Sequence, residues 1–147
     1  MPPVFHFVLP LMDFLQDNLL LVIAAVASGA MLLWSFFGSR VSGINQINTL
    51  EATRLMNEEA LLLDVREDNE WAVGHIPNAR HIRLGQLSEQ LAQLEKFKDK
   101  PIVVYCRSGH RSARACALLK KSGFANPNNL AGGIMAWEQA NLPITRK

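Results

Sequence analysis

Cysteine is scarce in this 147-residue chain, with only Cys106 and Cys116 present. Two cysteines cannot build the disulfide framework of a small secreted domain, so both are expected to be free thiols. Neither stands at a Cys/His spacing that suits zinc, and the expected metal site is none. Positive charge is missing from the whole first quarter: the chain has 15 Lys and Arg, and none precedes Arg40. That absence argues against a cleaved secretory leader, which needs a basic start. Dense basic runs interleaved with aromatics are absent too, so no nucleic acid is expected as a partner. No internal repeat or low-complexity tract appears, which leaves out solenoids and disordered tails.

A long charge-free run stands in place of those missing bases. Asn18 to Ser39 is 22 residues without a charged side chain, enough for about 33 Å of helix at ~1.5 Å per residue. The run predicts one transmembrane helix, with Trp34, Phe36 and Phe37 as aromatics at one interface. The organisation expected is a short N-terminal flank (1–17), a transmembrane helix (18–39), a linker rich in small residues (40–46) and one domain (47–147). With every base at or after Arg40, the positive-inside rule puts the N-terminus outside and the domain in the cytoplasm, single-pass in a plasma (inner) membrane. From residue 40 onward the 15 bases face 11 of the chain's 13 acids, a formal +4. That bias suits small anionic substrates or an anionic lipid surface. Ala25 and Gly29, at small-xxx-small spacing, add other membrane proteins as a further partner class.

Beyond the linker, short apolar runs alternate with helical patterns. Asn48 and Glu51 form a capping pair for a helix to about Asn57. Ala60 to Val65 reads as a buried parallel strand, Glu67 to Val73 as a short helix and Gly74 to Ala79 as a turn. His81 to Leu84 reads as a short strand. Leu87, Leu91 and Leu94 predict a helix over 86–96. Ile102 to Tyr105 is the strongest strand signal, a helix runs from Ser112 to Lys121, and Asn129-Leu130 is a last short strand before Gly132-Gly133 and a helix. This alternation predicts an α/β fold, a parallel sheet covered on both faces.

The segment Cys106-Arg107-Ser108-Gly109-His110-Arg111 joins the strongest strand to a helix. A loop that opens a helix presents free N–H groups and the positive end of the helix dipole. A thiol there ionises readily, and the thiolate is the nucleophile. Cys106 is therefore the candidate catalytic residue. Arg107, Ser108, Gly109, His110 and Arg111 are candidate substrate-binding residues: the cations draw an anion in, and glycine lets backbone approach the sulfur. Arg111 has an alternative as a brace through Glu70. Ser112 could cap the helix or hydrogen-bond the cysteine. Asp64, at a strand end, could shape the pocket or pair with Arg66, and the structural role is favoured. Cys116 reads as core, His75 and His81 as turn and strand residues, and Trp71 and Trp137 as core aromatics.

Three pieces, LLLDVREDNEWAVGHIPNARHI (61–82), IVVYCRSGHRSARA (102–115) and NLAGGIMAWEQANLPI (129–144), make the chain resemble the single-domain rhodanese family over about residues 44–145. The resemblance implies a rhodanese-like parallel sheet of about five strands flanked by helices, here preceded by the transmembrane helix. It implies a thiosulfate-type sulfurtransferase in which Cys106 takes sulfane sulfur as a persulfide and passes it to a thiol or cyanide acceptor, with no cofactor. Asn78 stands where the family usually has glycine. The Cys-x-x-x-x-Arg loop is one residue shorter than that of the related cell-cycle-type phosphatases and arsenate reductases. A shorter loop closes around one extra sulfur atom, so a sulfur carrier is favoured over a phosphatase. The alternative from another class is a membrane-tethered interaction or scaffold module.

Overall fold

The computed structural model describes residues 12–41 and 43–146, with side chains of 36–41 excepted. Residues 1–11 of the expected flank, Ser42 of the expected linker, and the side chains of Phe36 and Phe37 lie outside the described residues. The chain divides into two units, Met1–Ser42 and Gly43–Lys147.

The first unit contains helix α1 (Leu19–Val41). A helix forms where the charge-free run predicts one, because nothing in that run breaks the ladder. The expected membrane span is not supported: among the described residues no helix is long and apolar enough to cross a membrane. Many of the described side chains of α1 are exposed, Leu20, Met31 and Trp34 most of all.

The second unit is an α/β layer structure. Its elements are β1 (Asn45–Ile47), α2 (Thr49–Asn57), β2 (Leu61–Asp64), α3 (Asp68–Val73), β3 (Arg80–His81), β4 (Pro101–Tyr105), α4 (His110–Lys121), β5 (Asn126–Leu130) and α5 (Gly133–Gln139). The five strands form one sheet in the order β1-β5-β4-β2-β3, and every pairing is parallel. Strands β4 and β2 sit centrally and β2 is buried on both faces, which is why Leu61–Leu63 and Ile102–Tyr105 are unbroken apolar runs. Strand β1 takes in Asn45 and Gln46, which composition alone puts in the linker; polar and short, it carries little strand signal.

Alternation along the central strands splits the core. Leu61, Leu63, Ile102, Val104 and Cys106 pack with Ala115, Cys116, Leu119 and Phe124 on one face. Leu62, Val103, Tyr105, Leu130, Ile134 and Trp137 pack with Ala52 and Ile76 on the other. Period-two alternation forces this division. Tyr105 is fully buried and its hydroxyl oxygen accepts from the Ile76 N–H at 3.1 Å. Burial, first, and the Asp64 charge beside it push its ionisation well above the usual range.

Some local expectations change. Asn48 caps α2 as predicted, its side chain accepting from the Glu51 N–H at 2.9 Å. The helix expected over 86–96 is instead two 3₁₀ segments, Leu84–Gln86 and Leu91–Phe97. Leu87 and Leu94 are still buried, so the leucine spacing reports burial and not α geometry. The strand expected at 81–84 is only Arg80–His81, and the last strand is longer than Asn129-Leu130. Trp137 is core, but Trp71 is half-buried, stacked between His75 at 3.4 Å and His81 at 4.7 Å between ring centroids. The polar tips of those histidines meet backbone carbonyls, His75 Nδ1 at Trp71 O and His81 Nε2 at Arg66 O.

Candidate functional site

The site gathers at the carboxyl ends of β2, β4 and β5, where open parallel sheets collect ligands. Strand β4 ends at Tyr105 and delivers Cys106 into a loop that opens α4. The loop turns at Gly109, with φ +100°, a left-handed conformation that glycine adopts without strain. That turn aims the Gly109 N–H at Cys106 Sγ, 3.1 Å away. One helical turn on, the Ser112 hydroxyl donates to the same sulfur at 3.3 Å. Cys106 is 1% exposed, and burial by itself opposes ionisation. It is outweighed by hydrogen bonds from the Ser112 hydroxyl and from the N–H groups of Ser112, Gly109 and Ser108, so the thiol is held below its ordinary range.

The two alternatives for Ser112 are thereby separated. It does not cap α4, whose first residue is His110; it bonds the cysteine. Arg111 behaves as a brace. Its two terminal nitrogens meet the two carboxylate oxygens of Glu70 at 2.6 and 2.7 Å. This fork ties the loop to α3, and the Arg111 bond holds the Glu70 carboxyl down at about 2. Asp64 is fully buried and engages Arg66, whose Nη2 reaches it at 2.7 Å and also bonds the Gly74 carbonyl at 2.8 Å. Burial opposes the Arg66 charge, yet the bond and charge of Asp64 raise its pKa. The pair supports the floor of the site and makes no bond to the cysteine loop.

Arg107, Ser108 and His110 are exposed at the loop rim, with Ser108 Oγ and His110 Nδ1 3.2 Å apart. Cys106, Gly109 and Ser112 thus form one constellation, Arg111 buttresses it and Asp64 stands behind it. Among the described residues no group of three or more His, Cys, Asp or Glu side chains is placed to hold a metal ion.

Two supports escaped sequence reasoning. Asn129 on β5 is buried, and its amide donates to the Gly109 carbonyl at 3.0 Å and to Gln46 at 2.9 Å. It links the edge strand to the turning point of the loop. Only β-sheet pairing brings these residues together, so no local signal marks them. At the start of α5 the N–H groups of Ile134 and Met135 donate to the carbonyls of Cys106 and Arg107 at 2.9 and 3.2 Å. A Cβ on Gly133 would collide with Cys106 O and come within 2.6 Å of Arg107 carbonyl atoms. The Gly132-Gly133 pair was visible as a helix start; its contact with the loop was not.

This architecture can be set beside known proteins. The rhodanese-like domain family matches residues 49–140. The chain belongs to the rhodanese-like domain family. A protein of Allochromatium vinosum named sulfurtransferase is 37% identical over 69% of this chain and 94% of its own length. YibN of Escherichia coli K12, uncharacterised by name, is 33% identical over 92% of this chain and 96% of its own. The solution structure of the polysulfide-sulfur transferase homodimer of Wolinella succinogenes superposes with a TM-score of 0.66 at 27% identity, covering 81% of this chain and 90% of that one. The expected rhodanese-like parallel sheet of five strands is therefore established, and the chain is a rhodanese-type member with sulfurtransferases among its relatives.

Proposed function

We propose that this rhodanese-like protein transfers sulfane sulfur through a persulfide on Cys106, from a donor such as thiosulfate to a thiol or cyanide acceptor. The observation that carries the reading is the pair of donors on one buried sulfur, Gly109 N–H at 3.1 Å and Ser112 Oγ at 3.3 Å. The Cys106 thiolate attacks the outer sulfur of thiosulfate; a Cys106 S–S bond forms, the donor S–S bond breaks, and sulfite leaves with the electron pair. An acceptor thiolate then attacks the outer persulfide sulfur, and the pair returns to Cys106. The loop donors stabilise the anionic sulfur in both states. Exposed Arg107 and His110 draw the anionic donor to the rim. A six-residue loop, Cys106 to Arg111, suits a single extra sulfur better than a tetrahedral phosphate. The test is intact-mass and peptide mass spectrometry after thiosulfate treatment. One added sulfur on the Cys106 peptide, removable by cyanide, is expected; phosphatase turnover without any persulfide would overturn the reading.

An N-terminal anchor is proposed alongside. The charge-free run of 22 residues from Asn18 to Ser39 and the absence of bases before Arg40 support one membrane helix with the rhodanese-like domain on the cytoplasmic side of a plasma (inner) membrane. Protease added to sealed vesicles of either orientation should reach the domain only from the cytoplasmic face. Release of the protein by alkaline carbonate, or digestion from the outer face, sinks it.

A further inference from the structure

Asparagine is a poor choice for a strand paired on both sides, since its amide competes for backbone bonds and buries little apolar surface. Strand β5 nevertheless carries Asn126, Asn128 and Asn129. Asn128 serves the sheet locally: its amide donates to the Asn126 carbonyl at 2.9 Å, and its Oδ1 accepts from Asn45 at 2.6 Å. Asn129 does something else. It is 2% exposed, and its amide donates twice, to the Gly109 carbonyl at 3.0 Å and to Gln46 Oε1 at 2.9 Å. Among the described residues nothing donates to its Oδ1, which is buried. An orphaned buried acceptor is unfavourable, and an apolar side chain of the same shape would avoid it. Turning the amide over would aim Oδ1 at two oxygens, so those two acceptors fix its direction. The strand needs none of this; Gly109 does.

Glycine has the widest backbone freedom of any residue. At Gly109 a φ of +100° aims the N–H at Cys106 Sγ, 3.1 Å away. The Gly109 carbonyl takes two bonds, from the Ala113 N–H of α4 at 3.1 Å and from Asn129 of β5 at 3.0 Å. A Cβ on Gly109 would stand 3.4 Å from Leu130 O and from Gly132 N, so this turn lies flush against the end of β5. Asn129 is itself fixed on both sides, in register with Gln46 on β1 and with Val104 on β4. One residue thus touches both the strand that delivers the sulfur and the turn that faces it.

Resting on the sulfur-transfer reading above, we infer that Asn129 is a positioning residue for the reaction: it fixes the Gly109 carbonyl and thereby keeps the Gly109 N–H on Cys106 Sγ. That donor acts twice. It stabilises the thiolate that attacks the sulfur donor, and the same thiolate as leaving group when the acceptor takes the outer sulfur. Gln46 acts one bond further out, by fixing the direction of the Asn129 amide.

The experiment uses the full chain carrying Asn129→Leu, which keeps the shape of asparagine and removes the donor. Gly109 O retains its Ala113 bond and the exposed Gln46 turns to water, so stability in urea should be held or should rise. Alkylation of the Cys106 peptide by iodoacetamide is followed against pH by mass spectrometry. The midpoint should rise by about half a unit, an about threefold loss of thiolate below it. The plateau above the midpoint should not fall, because a less stabilised thiolate is no weaker a nucleophile. Gln46→Ala should move the midpoint the same way by less. An unmoved midpoint overturns the inference. So does a fallen plateau or a marked loss of stability, either of which makes Asn129 a strut of the fold. Thiosulfate loading of the native protein is run in parallel. Absence of any persulfide there overturns the sulfur-transfer reading, while the alkylation midpoint still decides whether Asn129 sets the thiol.

Discussion

Two cysteines ten positions apart pack into the same apolar cluster, both almost fully buried, and their thiols are driven in opposite directions. Cys116 sits inside α4 with its backbone bonds already made; burial, with the Cys106 charge adding to it, pushes its thiol up to about 12. Cys106 is also opposed by burial, but the Ser112 hydroxyl and loop N–H groups overcome it. Burial alone therefore says nothing about reactivity. What separates the two thiols is whether free donors point at the sulfur, and here the helix start and the Ser112 hydroxyl supply them to Cys106 alone.

The sharpest way to break this contrast is substitution of each sulfur in turn. Cys106→Ser should abolish persulfide formation with the fold intact by circular dichroism, because a hydroxyl has neither the low pKa nor the soft nucleophilicity. Cys116→Ser should keep most transfer and lose modest stability in urea. Loss of transfer in the second variant alone would reverse the assignment.

Next in size is Gly133→Ala. A Cβ there meets Arg107 carbonyl atoms at 2.6 Å on a left-handed backbone, φ +57°, so α5 must move off the loop. About 2–4 kcal/mol of stability should be lost in denaturant titration. Transfer should fall as well, whereas Gly85→Ala, where a Cβ meets nothing within 4 Å, should do neither.

Ser112→Ala removes one donor and keeps the backbone ones. Alkylation of Cys106 by iodoacetamide at neutral pH should slow by about tenfold, as for loss of one hydrogen bond to a charged group, and its pH midpoint should move upward. An unmoved midpoint would mean that the N–H groups suffice.

The smallest effect concerns Glu70. Its carboxyl is depressed to about 2 by Arg111, so the folded pKa lies below the unfolded one. The stability it contributes is present above the unfolded value near ~4.3 and is lost as pH falls through about 2. In urea titrations, Glu70→Gln should flatten that part of the acid limb and slightly loosen the loop.

Much of the molecule was legible beforehand because its signals are local. The apolar runs of β2 and β4 announce buried parallel strands, the Asn48–Glu51 pair starts a helix, and a cysteine before a glycine turn and a helix marks the candidate nucleophile. Where local signals were weak, the reading slipped. Strand β1 has one apolar residue, and the leucines before Lys98 fit 3₁₀ turns as well as an α-helix.

The sequence by itself determined the family, the alternating architecture, and which cysteine stands in a loop before a helix start and which lies inside a helix, since periodicity and loop chemistry act over a few residues. Only the tertiary structure decided that Ser112 bonds the sulfur instead of capping the helix and that Arg111 is held by Glu70. It alone revealed that Asn129 and the α5 start grip the loop from strands and helices far along the chain. Those contacts depend on sheet order and crossover, which bring residues tens of positions apart to one edge, and no local pattern encodes that meeting.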